Sequence, residues 1–104
     1  MQTSIQVYSK GTRSLRDKIV NDSRLADFGL TLSEEKRATR PHGWSKIHLD
    51  NGPGAINLEW HAASKTLICR IVTRNTNPHQ IAGAFISFLL ARFSKQIVSI
   101  RVCP

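Results

Sequence analysis

His48, Glu59 and Arg70 are an imidazole, a carboxylate and a guanidinium, each on a segment where apolar and polar residues alternate. Those three types suffice for metal-independent cleavage of RNA. A carboxylate takes the proton of a 2′-hydroxyl, an imidazole protonates the leaving oxygen, and a guanidinium holds the phosphate. The same segments put further groups at matching alternate positions. Trp44 and Lys46 accompany His48, Asn57 accompanies Glu59, Arg74 follows Arg70, and Ser99 and Arg101 stand near the end, relieved by Ile68 and Val72. Alternate residues of a strand share a face, so these side chains are expected on one side of a sheet. Guanidinium groups clasp phosphates and indoles stack on bases. Trp44, Lys46, His48, Arg70, Arg74 and Arg101 are therefore the candidate surface for nucleic acid or another polyanion. Binding without catalysis is the leading reading. Ribonuclease-like cleavage by His48, Glu59 and Arg70, with no local ribonuclease motif beside it, is one alternative, and a homodimeric interaction protein with no nucleic-acid role is the other.

Other chemistries find less support. His42, His48, His61, His79, Cys69 and Cys103 include no pair at the tight spacings of structural zinc, so neither a metal site nor a cofactor is expected. Cys69 falls on the apolar side of its segment, where a thiol is inert packing, whereas Cys103 is expected to be exposed and oxidisable.

The elements that must position these groups are read from periodicity. Ile5, Val7 and Tyr8 suggest a short strand, frayed because it is terminal. Ser14 with Asp17 is a helix start, and Leu15 and Ile19 share its buried stripe. Asp22 interrupts that stripe. The helix is expected to resume through Leu25 and Phe28 and to stop at Gly29. Thr31 to Gly43 is polar and reads as a solvated connector. From Trp44 the period is two. Ile47 and Leu49, then Ile56, Leu58 and Trp60, then Leu67, Cys69 and Ile71 describe an antiparallel three-stranded meander, its first reversal made by Asp50 to Gly54. Asn77 and Pro78 open a second helix through Phe93, with Arg92 and Lys95 at its negative end. Val98, Ile100 and Val102 mark a final strand, expected beside the third and parallel to it through a right-handed crossover.

The sum is an α+β fold in the order α-β-β-β-α-β, a two-layer sheet/helix sandwich with a four-stranded mixed sheet, in one domain over residues 1–104. The order helix, three strands, helix over roughly residues 14 to 94 resembles the double-stranded-RNA-binding domain. That family begins its second helix with lysines, and Asn77 to Ala84 has none. The resemblance implies topology and carries no function over.

Composition sets the sign of the partner. With 15 Lys and Arg against 7 Asp and Glu the net charge is +8, and no side chain after Glu59 is acidic. Such an excess favours nucleic acid or an acidic protein. No secretory signal precedes the first strand, and two cysteines are too few for a disulfide framework, so a cytoplasmic setting is expected. The apolar stretch Ile81 to Phe93 spans about 20 Å as a helix, short of the roughly 30 Å of a bilayer core, so no membrane span is expected. That helix is apolar on nearly every side and asks for cover on two of them. Gly83, Ser87 and Ala91 recur every four residues with Leu90 beside them, the expected interface of a homodimer. The final strand offers an edge to a second copy.

Overall fold

The structure, a computed structural model, describes residues 3–36, 44–50, 52, 54–74 and 77–104. In chain order it comprises β1 (Thr3–Ser9), α1 (Leu15–Val20), a 3-10 turn (Leu25–Phe28), β2 (Leu30–Lys36), β3 (Trp44–Leu49), β4 (Ala55–His61), β5 (Thr66–Val72), α2 (His79–Phe93) and β6 (Ile97–Cys103). The strands form one six-stranded sheet in the order β2-β3-β4-β5-β1-β6, and every neighbouring pair is antiparallel. The α+β class stands, and β3, β4 and β5 do pair antiparallel in turn, but β2 joins them, so the meander has four strands rather than three. The four-stranded mixed sheet does not stand, for three reasons.

First, β1 is an interior strand, held by β5 on one side and β6 on the other, where a frayed terminus was expected. Ile5 and Val7 are fully buried while Gln6 and Tyr8 take the other face. Second, the start of the expected connector is strand β2. Leu30 is fully buried, but the register shifts between Leu32 and Glu34, and a bulge there erases the period-two signal from the sequence. Residues 37–43 of that connector, like Asn51 and Pro53 of the following turn, lie outside the described residues. Third, β6 does not pair with β5, because β1 lies between them. Both run antiparallel to β1 and therefore share a direction, so α2 does join two co-directional strands but passes over a third. Strands before the first helix and after the second also separate this fold from the double-stranded-RNA-binding order.

One face of the sheet carries the core. Ile5, Val7, Ile47, Ile56, Leu58, Leu67 and Cys69 are fully buried there, beneath Leu15 and Ile19 of α1 and Ile81, Phe85, Phe88 and Leu89 of α2. The broken first helix reads as expected. Ser14 Oγ accepts a hydrogen bond from the Asp17 N–H (3.2 Å), and Gly29 ends the 3-10 turn at φ 73°, a left-handed conformation that disfavours side chains. Asp22, which breaks the apolar stripe, has its own partner. Its carboxylate is only 6% exposed, accepts from Arg92 Nε at 3.0 Å, and so ties the end of α1 to the end of α2. The second helix starts at His79, one position later than expected, with Pro78 rather than Asn77 at its N-cap, and Asn77, one residue outside, accepts from the His79 N–H at 3.2 Å through its side-chain oxygen.

The second cover that α2 required is intramolecular. Phe28, from the 3-10 turn, meets Phe88 edge-to-face (5.5 Å between centroids, 74°), and Phe88 meets Phe93 in the same way (5.7 Å, 76°). Gly83, Ser87, Leu90 and Ala91 occupy the helix face turned to solvent.

A candidate nucleic-acid interface on the open sheet face

Both helices lie on the same side of the sheet. Arg16 of α1 donates from Nη1 to Ser45 Oγ at 2.8 Å, and Ser45 is buried opposite Leu58, on the face that also packs against α2. No described element covers the other face. Its side chains are the alternate set, and the register arranges them in rows across the strands.

One row reads Trp44, Glu59, Ile68, Gln6, Arg101 across β3, β4, β5, β1 and β6. The next reads Lys46, Asn57, Arg70, Ser4, Cys103. His48 stands with Ala55 and Val72 in a third row, and His61, Thr66, Tyr8 and Ser99 make a fourth on the far side of the first. At about 4.8 Å per strand, Trp44 and Arg101 stand roughly 19 Å apart along their row. Trp44, Lys46, His48, Asn57, Glu59 and Gln6 are half-buried, while Arg70 and Arg101 are exposed. Arg74 is exposed as well, two residues beyond β5.

The three residues read as cleavage groups are not all brought together. Arg70 Nη1 lies 3.4 Å from Glu59 Oε2, an ion pair across neighbouring strands. His48 is four residues along β3 from Trp44, the partner of Glu59, which puts their rows about 13 Å apart at ~3.3 Å per residue. His48 instead lies 3.9 Å from Asp50, and the imidazole beside Glu59 is that of His61, at 3.7 Å from Nε2 to Oε1.

A scan against family models found no match for the chain, and no curated protein and no solved structure is similar to it at a significant level. The face is therefore judged on its own chemistry. On β3, β4, β5, β1 and β6 the cations Lys46, Arg70 and Arg101 accompany one carboxylate, Glu59, whose charge Arg70 already meets, and β2 brings Glu34 to the register position beside Lys46. Trp44 and Tyr8 present partly accessible rings three strands apart. Cations spaced among aromatics on a flat surface suit an extended strand of phosphates with splayed bases.

His61, Tyr8 and Gln6 were not among the candidate residues. His61 continues the alternation of Asn57 and Glu59 by one step, a signal masked by the turn that the small and polar residues after it suggested. Tyr8 and Gln6 join the face only because β1 is inserted into the sheet, which no local pattern announces.

Among the described residues no three His, Cys, Asp or Glu side chains are grouped to hold a metal ion, and no helix is long and apolar enough to cross a membrane. The thiols differ in setting. Cys69 is fully buried, and desolvation pushes its pKa well above the ordinary 9.0, whereas Cys103 is half-buried on the open face near the sheet edge. Ellman's reagent is expected to react quickly with Cys103 alone in the native protein and with Cys69 only after denaturation; two fast thiols would show that the core opens at β5. The neutral Cys69 thiol contributes stability that is fully present below pH 9 and is lost as the pH rises above it, because the unfolded chain ionises first. The loss is up to ~1.4 kcal/mol per pH unit, and Cys69→Ala removes it.

Proposed function

We propose that the protein is a non-enzymatic binding module that lays the open face of its sheet on single-stranded nucleic acid. The observation that carries this reading is the segregation of both helices to one face, which leaves Trp44, Lys46, His48, Arg70 and Arg101 together on the other. Trp44 and Tyr8 offer stacking platforms, and the cations track phosphates along and between the rows. Arg74, exposed two residues beyond the end of β5, adds a further cation. A cleavage site would need acid, base and phosphate clamp around a single phosphodiester. The ~13 Å between the rows of Glu59 and His48 removes the His48 triad, and although His61 lies 3.7 Å from Glu59, that carboxylate is already engaged by both His61 and Arg70, which favours binding over catalysis.

The test is a fluorescence-anisotropy titration of a labelled, mixed-sequence single-stranded oligonucleotide at increasing salt. Affinity is expected to fall linearly on a log-log plot, with a slope of about −0.7 for each phosphate neutralised. Trp44→Ala is expected to weaken binding by ~1–3 kcal/mol with the slope unchanged, since a stacked base releases no counterion. Absence of binding at low salt would overturn the proposal. Hydrolysis of the oligonucleotide in EDTA, abolished by Glu59→Gln, would replace it with the enzymatic reading.

A further inference from the structure

Among the described residues four large apolar side chains are exposed, and three of them border one place. Leu90 of α2 (53%) and Val98 and Val102 of β6 (63% and 46%) flank an open groove of about 440 Å³, completed by Ile86, Ile97 and Ile100. β6 is also a sheet edge, with β1 on one side and, among the described residues, no strand on the other. The opposite edge is guarded. β2 carries a bulge at Leu32/Glu34 and the run Glu34-Glu35-Lys36 in its sequence, features that discourage pairing, whereas β6 has one charge, Arg101.

The sequence of β6 is nearly symmetric about its midpoint, Val98-Ser99-Ile100-Arg101-Val102. We propose that β6 pairs antiparallel with β6 of a second copy about a two-fold axis at Ile100, joining the two sheets edge to edge. This register overlaps all seven residues of the strand. It sets Val98 opposite the second copy's Val102 and Ile100 opposite its counterpart, so the apolar pairs lie on the helix side and each groove is closed by the other copy's Leu90 and Val98. On the open side Arg101 faces a serine hydroxyl. Sliding the register by two residues in one direction would set Arg101 against its own counterpart, and in the other would shorten the overlap; a slip of one residue would put the helices of the two copies on opposite faces. A strand of some other protein would need the same alternation and a neutral residue opposite Arg101, and only a second copy supplies both from what is on this chain.

A two-fold axis perpendicular to the sheet leaves both open faces on one side. The paired sheet then has twice six strands and one continuous basic surface. The pairing itself does not depend on nucleic-acid binding. One seven-residue strand and a helix flank make a small interface, under ~1,200 Å², consistent with micromolar association. Each copy carries +8, so association is expected to strengthen with salt as repulsion is screened, opposite in sign to nucleic-acid binding.

Sedimentation equilibrium from low to high micromolar protein tests the proposal. The native chain is expected to pass from monomer to dimer, more readily at higher salt. The exposed-site variant V98K/V102K is expected to stay monomeric throughout with an unchanged melting temperature. S99C/R101C in a C103S background is expected to form a covalent dimer on mild oxidation, because those positions face each other across the axis. A native chain that is monomeric at every concentration overturns the proposal, as does a V98K/V102K dimer. A native dimer that Gly83→Leu abolishes, or one that S99C/R101C fails to cross-link, overturns it in favour of the helix stripe or another register. A foreign peptide copurifying in the groove would do the same.

Discussion

Phe88→Ala is expected to lower the unfolding free energy by ~3–5 kcal/mol, a large share of the ~5–15 kcal/mol typical of a domain. Phe88 is fully buried and is the middle ring of three, with Phe28 on one side and Phe93 on the other. Truncation removes the transfer energy of the ring and two edge-to-face contacts, and leaves a void between elements fixed from opposite directions. The sheet holds one wall. The other is the 3-10 turn, pinned by left-handed Gly29 and by the return of the chain into β2, so neither wall can close freely. Equilibrium urea denaturation followed by tryptophan fluorescence measures the loss as a fall in midpoint at constant slope. Leu90→Ala on the same helix serves as the contrast, since Leu90 projects into solvent and is expected to change stability by no more than ~0.5 kcal/mol in the monomer. A Phe88→Ala cost below ~1 kcal/mol would mean that the 3-10 turn is not the second cover of α2.

That cover marks where reading from sequence succeeds and where it stops. The break of the first helix at Asp22, its resumption to Phe28 and its end at Gly29 were legible because each depends on residues a few positions apart. So was the meander, where Ile47, Leu49, Ile56, Leu58, Leu67 and Cys69 alternate without interruption and short turns leave antiparallel pairing as the simple solution. From that alternation followed the opposite face as well, and Trp44, Lys46, Asn57, Glu59 and Arg70 do share it. What the chain did not announce was pairing over long separations. β1 contributes two buried apolar residues, too few to signal an interior strand, and its partners lie more than fifty residues away. The bulge in β2 moved Glu34 and Glu35 out of period and made an edge strand look like a linker. The candidate cleavage triad failed to assemble for a related reason. Alternation fixes which face a residue takes, whereas its row is set by the turn between strands, and that turn pairs Glu59 with Trp44 rather than with His48.

Because the cations occupy adjacent rows, removing them together should have the larger effect on function. The variant K46A/R70A/R101A is expected to reduce the log-log salt slope by about 2, at ~0.7 for each lost phosphate contact, and to weaken single-strand binding about a hundredfold near ~0.1 M salt. The loss should be smaller at higher salt, where counterion release contributes less, and that convergence separates a true phosphate surface from misfolding, which would weaken binding at all salt concentrations. Loss of net charge alone would also lower affinity through the long-range field. The control is therefore R13A/R24A/K95A, which removes three exposed cations from the loops around the helices and none from the open face. It is expected to slow association modestly and to leave the slope nearly unchanged. Equal loss in both variants would mean that the charge acts diffusely and that the open face is not the binding site. If only the first variant loses affinity, the site is local. The ion pair between Arg70 and Glu59 then has a definite role, holding the guanidinium upright among the rows until a phosphate competes for it. On that account Arg70→Ala by itself should weaken binding more than Lys46→Ala, because it removes a cation and also leaves the Glu59 carboxylate unneutralised in the row it shares with Arg101, and the double variant K46A/R70A measured against the two singles gives the coupling directly.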